Sequence, residues 1–221
     1  MAAPATAMAT SNTRRRAATV AAIAGALLTV PAVPLVLAEG SPRARADSGD
    51  TAPARGRPPA TFSWLDPAPA PVGWRHATTS TTNATLFYPP GWRAIPGDKA
   101  TVSEALRDGK SRYAGYLNVT PRQGAEQLRG WAAFRTNRNR EDGDRQVRQV
   151  AAADGLRFRH AHGSCVIDDY LSKVAYHPYL EIACIITGHR HTDVFIGAAL
   201  TRDWRTLGPT LERAASSLLQ R

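Results

Sequence analysis

Apolar and polar positions repeat with a strand period over most of the chain after residue 74, and with a helix period in two places. YLEIACIIT puts Leu180, Ile182, Cys184 and Ile186 on one face and Ala183 and Ile185 on the other. Apolar on both sides, it predicts a central strand covered on both faces. VFIGAAL, following a turn over 188–193, predicts a second strand of this kind. Upstream, WRHATTST and ATLFYPPGW form a hairpin around Thr82-Asn83, closed by the Pro89-Pro90-Gly91 corner. ATVSEALRD and RYAGYLNVT pair across Asp108-Gly109-Lys110. QVRQVAAADGLRFRHAHGS predicts a hairpin, and the region from Cys165 to Val174 a further one. Pro121 ends one strand, and 122–137 then has a helical period, with Leu128, Trp131 and Ala132 on one face and Arg135 at its edge. A last helix covers 204–219, with Trp204, Leu207, Leu211, Ala214, Ala215 and Leu218 at helical spacing. The expected fold class is α+β, an antiparallel sheet with a middle helix and a C-terminal helix packed on it.

A different pattern precedes this domain. Residues 17–38, AATVAAIAGALLTVPAVPLVLA, form an uncharged apolar run behind Arg14, Arg15 and Arg16. As a helix it would rise about 33 Å at 1.5 Å per residue, enough for a hydrocarbon core of roughly 30 Å. Two readings stand. One is a retained transmembrane anchor; the other is a cleaved export signal, for which Val36-Leu37-Ala38 and Ala44-Arg45-Ala46 resemble cleavage sites. Either way the arginines keep the N-terminus cytoplasmic and send the domain across. The expected location is the cell membrane, single-pass, with secretion as the alternative. Residues 39–73 are rich in Pro, Ala and Arg, lack apolar periodicity and predict a disordered tether. The organisation expected is a cytoplasmic stretch 1–16, the apolar segment 17–38, the tether 39–73 and an extracytoplasmic domain 74–221.

Charge adds less than its total of +10 implies. Up to Thr61 there are seven arginines against three acids, and the remainder carries a net of +6. That is moderately basic, and the arginines are not interleaved with aromatics as in a single-strand binder, so no nucleic-acid partner is expected. The mixed-sign run FRTNRNREDGDRQVR reads as a solvated helix end and loop.

LFYPPGWRAIPGD, then YLNVTPRQG, a mid-chain helix and a last helix after VFIGAAL, resemble the PsbP-like superfamily, in particular exported actinobacterial members of the LpqN type. The resemblance covers roughly 74–219. It implies an α/β/α sandwich that binds other proteins or envelope components, with no shared catalytic residue set and no functional residue to carry over.

Candidate chemistry is sparse. Cys165 and Cys184 are the only cysteines, and in an exported chain a disulfide is the default. Two buried thiols are one alternative; a nucleophilic Cys165 served by His160 or His162 is another. His160 and His162, and again His189 and His191, lie two apart, so each pair shares a strand face and could ligate zinc or copper, although GHRHTD reads as an exposed turn. Asp168 and Asp169 are neighbours, which points them to opposite faces of a strand. No catalytic residue, cofactor or metal is assigned. The expected function is a binding or scaffold domain for an unknown envelope protein or anionic envelope component, joined to the membrane by the N-terminal helix. A small envelope hydrolase with a Cys/His or His-bound metal centre is the alternative.

Overall fold

The computed structural model describes residues 60–220, apart from 110, 111 and 175. Among these residues nine strands and two α-helices follow in order, besides short 3-10 turns at Ala60–Phe62 and Thr201–Asp203: β1 (Arg75–Thr78), β2 (Thr85–Tyr88), β3 (Arg93–Ala94), β4 (Val102–Arg107), β5 (Tyr113–Pro121), α1 (Trp131–Glu141), β6 (Arg145–Phe158), β7 (Ala161–Leu171), β8 (Pro178–Thr187), β9 (Thr192–Leu200) and α2 (Trp204–Ser217). β1 and β2 pair as a separate hairpin, and the other strands form a seven-stranded antiparallel sheet in the order β3-β4-β5-β9-β8-β7-β6.

Period-two alternation divides this sheet into two different surfaces. Leu117 and Val119 of β5, Cys165 and Ile167 of β7, Ile182, Cys184 and Ile186 of β8 and Phe195 of β9 turn to one face. There they pack with Leu211, Ala214 and Ala215 of α2, Leu86 of β2 and Phe62. The opposite face carries Val166, Ala183, Ile185, Val194 and Ile196 beneath Trp131 of α1. The result is one helix on each side of an antiparallel sheet, with the larger apolar core on the α2 side.

The expectations for the central strands and the last helix agree with these elements. Two others need correction. The middle helix was placed at 122–137 but runs Trp131–Glu141, entered through Gly130 at a φ of 76°, a left-handed conformation that costs glycine little. Trp131 thus opens the helix, and its apolar surface is confined to its first turn. The hairpin expected over 146–164 is the β6–β7 pair, which reverses at Arg159-His160; within β6, Gly155, at a φ of 67°, sits in an irregularity of register, so the chain passes through Asp154-Gly155 without reversing. The second correction concerns Cys165, which lies inside the strand Ala161–Leu171 and not in a further hairpin starting there.

The expected fold class, membrane partner and membrane location included a transmembrane or signal helix ahead of the domain. That element is corrected: among the described residues no helix is long and apolar enough to cross a membrane. The run 17–38 on which it was placed lies outside the described residues. The architecture described is therefore the sheet with its middle and C-terminal helices, without a membrane-spanning element. Packing also starts ahead of Trp74, since Phe62 and Leu65 are buried in the α2-side core.

Cys165 and Cys184 face each other as register partners on β7 and β8, with an S–S bond of 2.06 Å in the α2-side core. They stand 19 residues apart, so the bridge restricts the unfolded chain by closing a loop of that size. Replacing both with alanine is expected to lower stability by about 3 kcal/mol and to raise the urea m-value, because the unfolded chain then expands. Urea titrations of the two proteins measure both changes.

Candidate binding site

α1 is a poor helix for burial by itself. After Trp131 and Phe134 its sequence is Arg135, Thr136, Asn137, Arg138, Asn139, Arg140, and its second half can dock only through polar contacts. The sheet supplies them. Asp168 on β7 and Glu181 on β8 are register partners, both fully buried, on the face beneath α1. Arg135 donates from Nε to Glu181 Oε1 at 2.6 Å and from Nη2 to Oε2 at 3.0 Å, the two-pronged geometry a guanidinium offers a carboxylate. Tyr170 Oη donates to Glu181 Oε2 at 3.0 Å, and Asn139 Nδ2 donates to Asp168 Oδ2 at 3.1 Å. Among the described residues Asp168 Oδ1 is buried without a partner.

Two carboxylates thus share one guanidinium away from water. Burial first, and the Glu181 charge second, push the Asp168 carboxyl up to about 8. It therefore holds its proton at neutral pH. Unfolded, it would release that proton near pH 4, so between about pH 4 and 8 the native state binds more protons and stability falls as pH rises. Asp168→Asn, which mimics the protonated acid, should flatten this decline and melt above the parent at alkaline pH. Thermal unfolding of both proteins across the window would show no divergence if Asp168 were ionised.

α1 covers only part of its face, and beside it lies an uncovered cleft of about 370 Å³. Tyr113 and Tyr116 of β5, Tyr170 of β7 and Tyr179 of β8 line it, with Arg112, Asp144 and the connection between β7 and β8 at its rim. Tyr170 and Tyr179 are register partners with near-parallel rings, their centroids 6.2 Å apart. Tyr179 Oη donates to the Tyr113 carbonyl at 2.8 Å, and the Lys173 backbone N–H donates to Asp144 Oδ1 at 2.8 Å, tying the rim to the α1–β6 turn. Burial raises the Asp144 carboxyl and the Tyr170 and Tyr179 hydroxyls above their ordinary ranges. Beyond Tyr116 the surface continues between α1 and β5 into a hollow of about 580 Å³ bordered by Asn118, Thr120, Phe134 and Arg138. The two adjoin at Tyr116 and together make the groove beside α1, with tyrosines at one end and at the other a mixed lining that includes Asn118 and the charged Asp98, Glu126, Arg138 and Asp142.

The residues singled out from the sequence lie elsewhere. Cys165 and Cys184 are in the core on the opposite face, bonded to each other. His160 and His162 flank the start of β7, and His189 and His191 lie in the β8–β9 turn, at the same end of the sheet. Among the described residues no group of three or more His, Cys, Asp or Glu is placed to hold a metal. Asp169 and Asp168 do point apart: Asp169 pairs with Arg148 at the surface while Asp168 is buried. The arginine run divides, with Arg135 in the buried pair and Arg138 in exposed pairs with Glu141 and Asp142. Sequence reasoning missed the tyrosines and the Arg135–Glu181 pair. The available signal was a Glu in an otherwise apolar central strand, which demands a partner once buried.

No family model and no curated protein matches the chain. Among solved structures, the solution structure of cyanobacterial PsbP (CyanoP) from Synechocystis sp. PCC 6803 is similar at a TM-score of 0.50 and 15% identity, covering 69% of this chain and 95% of that one. LpqN of Mycobacterium tuberculosis, described as involved in cell envelope biogenesis, matches at a TM-score of 0.34 and 13% identity over 68% of this chain and 79% of its own. A protein of unknown function from Pseudomonas aeruginosa matches at 0.39 and 10%, over 67% and 97%. The resemblance drawn from the sequence holds at the level of fold through the cyanobacterial PsbP structure, to which the described domain is weakly similar.

Proposed function

We propose that this is a non-catalytic binding domain of an oxidising, extracytoplasmic compartment, and that it engages its partner at the groove beside α1. The observation that carries this reading is the groove itself, a concave surface lined by aromatic and polar side chains and backed by a buried, hydrogen-bonded network that holds its walls in place. A disulfide in the core supports the compartment. The sheet edges serve the role less well. β6 has register irregularities at three places and β3 is two residues long, features that discourage strand addition. The hydrolase reading has less support, because the Cys165 sulfur is bonded to Cys184 and is not a thiolate.

A photo-crosslinking residue placed in cells at Phe134, on the groove, is expected to capture a specific partner. The same residue at Val150, on β6, is expected to capture none. Adducts at Val150 alone, or at neither position, would remove the basis for the reading.

A further inference from the structure

His162, which the groove leaves unused, belongs to a row of polar side chains laid across the sheet. Arg157 of β6 is the register partner of His162 of β7, His162 that of Thr187 of β8, and Thr187 that of Thr192 of β9. Arg122, one residue past β5, adds a fifth position through its backbone N–H, which donates to the Thr192 carbonyl at 2.9 Å. Register partners turn their side chains to the same side of a sheet. Thr187 and Thr192 stand two residues from Ile185 and Val194, so this side is the α1 face, at the end away from the tyrosine cleft. Arg122, Arg157 and His162 are exposed there, and the two threonines are half-buried. Among the described residues Arg122 and Arg157 make no ion pair, although Glu126 and Asp154 are their nearest acids in sequence. Asp193 of β9 turns to the opposite face, where Thr82 and Gln220 donate to it. The Thr187 and Thr192 hydroxyls lie 3.0 Å apart, and whichever donates to the other, one O–H remains to be given.

With strands roughly 4.8 Å apart, the four intervals from Arg157 to Arg122 span about 19 Å. A single phosphate cannot meet both guanidinium groups over that span, whereas a chain of repeated anions can. Guanidinium forks match phosphate oxygens with paired N–H bonds, and the imidazole and hydroxyl between them add further donors. The row has no aromatic side chain on which a base could stack, unlike a single-strand nucleic-acid surface. It has no exposed large apolar side chain to enter a lipid surface either. We propose that Arg122, Thr192, Thr187, His162 and Arg157 form a second binding surface, which takes a linear polyol-phosphate polymer of the cell envelope lying across the strands. The source of the polymer rests on the extracytoplasmic reading; the surface itself is separate from the groove.

The test titrates the full chain with fluorescein-labelled poly(glycerol phosphate), read by anisotropy at low salt. Saturable binding is expected, weakening as salt is raised. Changing Arg122 and Arg157 together to alanine should weaken it at least about tenfold. Changing Arg93 and Arg205 together to alanine removes the same charge from exposed positions on β3 and α2, and should leave affinity within about twofold. This pair controls for attraction by net charge and by the arginines ahead of residue 60. Inorganic phosphate at the same phosphate concentration should not compete. No binding, an equal loss in the two double variants, or full competition by inorganic phosphate would each overturn the proposal. So would tighter binding of a single-stranded DNA oligonucleotide of equal charge, or of vesicles of anionic lipid, that is lost with Arg122 and Arg157. A crosslinker at Phe134 that still captures its partner in the Arg122 and Arg157 double variant would show that failure here leaves the groove reading standing.

Discussion

Arg135→Ala is expected to destabilise the domain by about 3–5 kcal/mol, the loss found when one partner of a buried ion pair is removed. The reason lies in what remains. Glu181 is fully buried, and without the guanidinium its carboxylate would keep only the Tyr170 hydroxyl, beside an Asp168 that already holds its proton. The cost is thus that of an uncompensated buried charge, more than that of a lost contact. A companion variant separates the two: changing Arg135 to Met and Glu181 to Leu together should recover most of the loss, because an apolar pair of similar size needs no desolvation. Urea unfolding of the three proteins decides the matter. A loss below about 1 kcal/mol for Arg135→Ala would mean that water reaches Glu181, as it does for surface pairs.

Trp131→Ala should cost a similar amount, about 3–5 kcal/mol, by a different route. Trp131 is 2% exposed, packs over Val166, Ala183, Ile185, Val194 and Ile196, and donates Nε1–H to the Ala183 carbonyl at 2.9 Å. Removing the indole opens a cavity and uncovers this whole apolar group. Both variants weaken the docking of α1, so their effects should not add. Once the helix has come off the sheet, the second substitution has little left to disrupt. Hydrogen exchange would show this as a loss of protection in α1 and in β7–β8 beneath it, with the α2-side core retained.

Much of the sheet was legible because the period-two signal is strong where both faces are covered. Leu180, Ile182, Cys184 and Ile186 separate from Ala183 and Ile185 in YLEIACIIT, and the strand Pro178–Thr187 follows that division. The last helix was equally clear, because its apolar positions extend over its length. α1 was not, since only its first turn is apolar and the rest docks through polar contacts that leave no periodic trace. Asp154-Gly155 makes no turn, because pairing with β7 on both sides of it holds the strand together. The groove was hidden for a further reason. Tyr113 and Tyr116 lie on β5, Tyr170 on β7 and Tyr179 on β8, so only the pairing of distant strands brings them together.

The two-faced sheet also bears on how such a sequence can drift. On β7 and β8, successive residues answer to different demands: Cys165, Ile167, Ile182 and Cys184 serve the core that keeps the domain folded, while Asp168, Tyr170, Tyr179 and Glu181 serve the helix and groove opposite. A change of ligand could therefore accumulate at every second position along a strand while its neighbours stay fixed. Descendants of this chain with new specificities would retain one comb of residues and exchange the other, which would make overall identity a poor guide to shared structure among them.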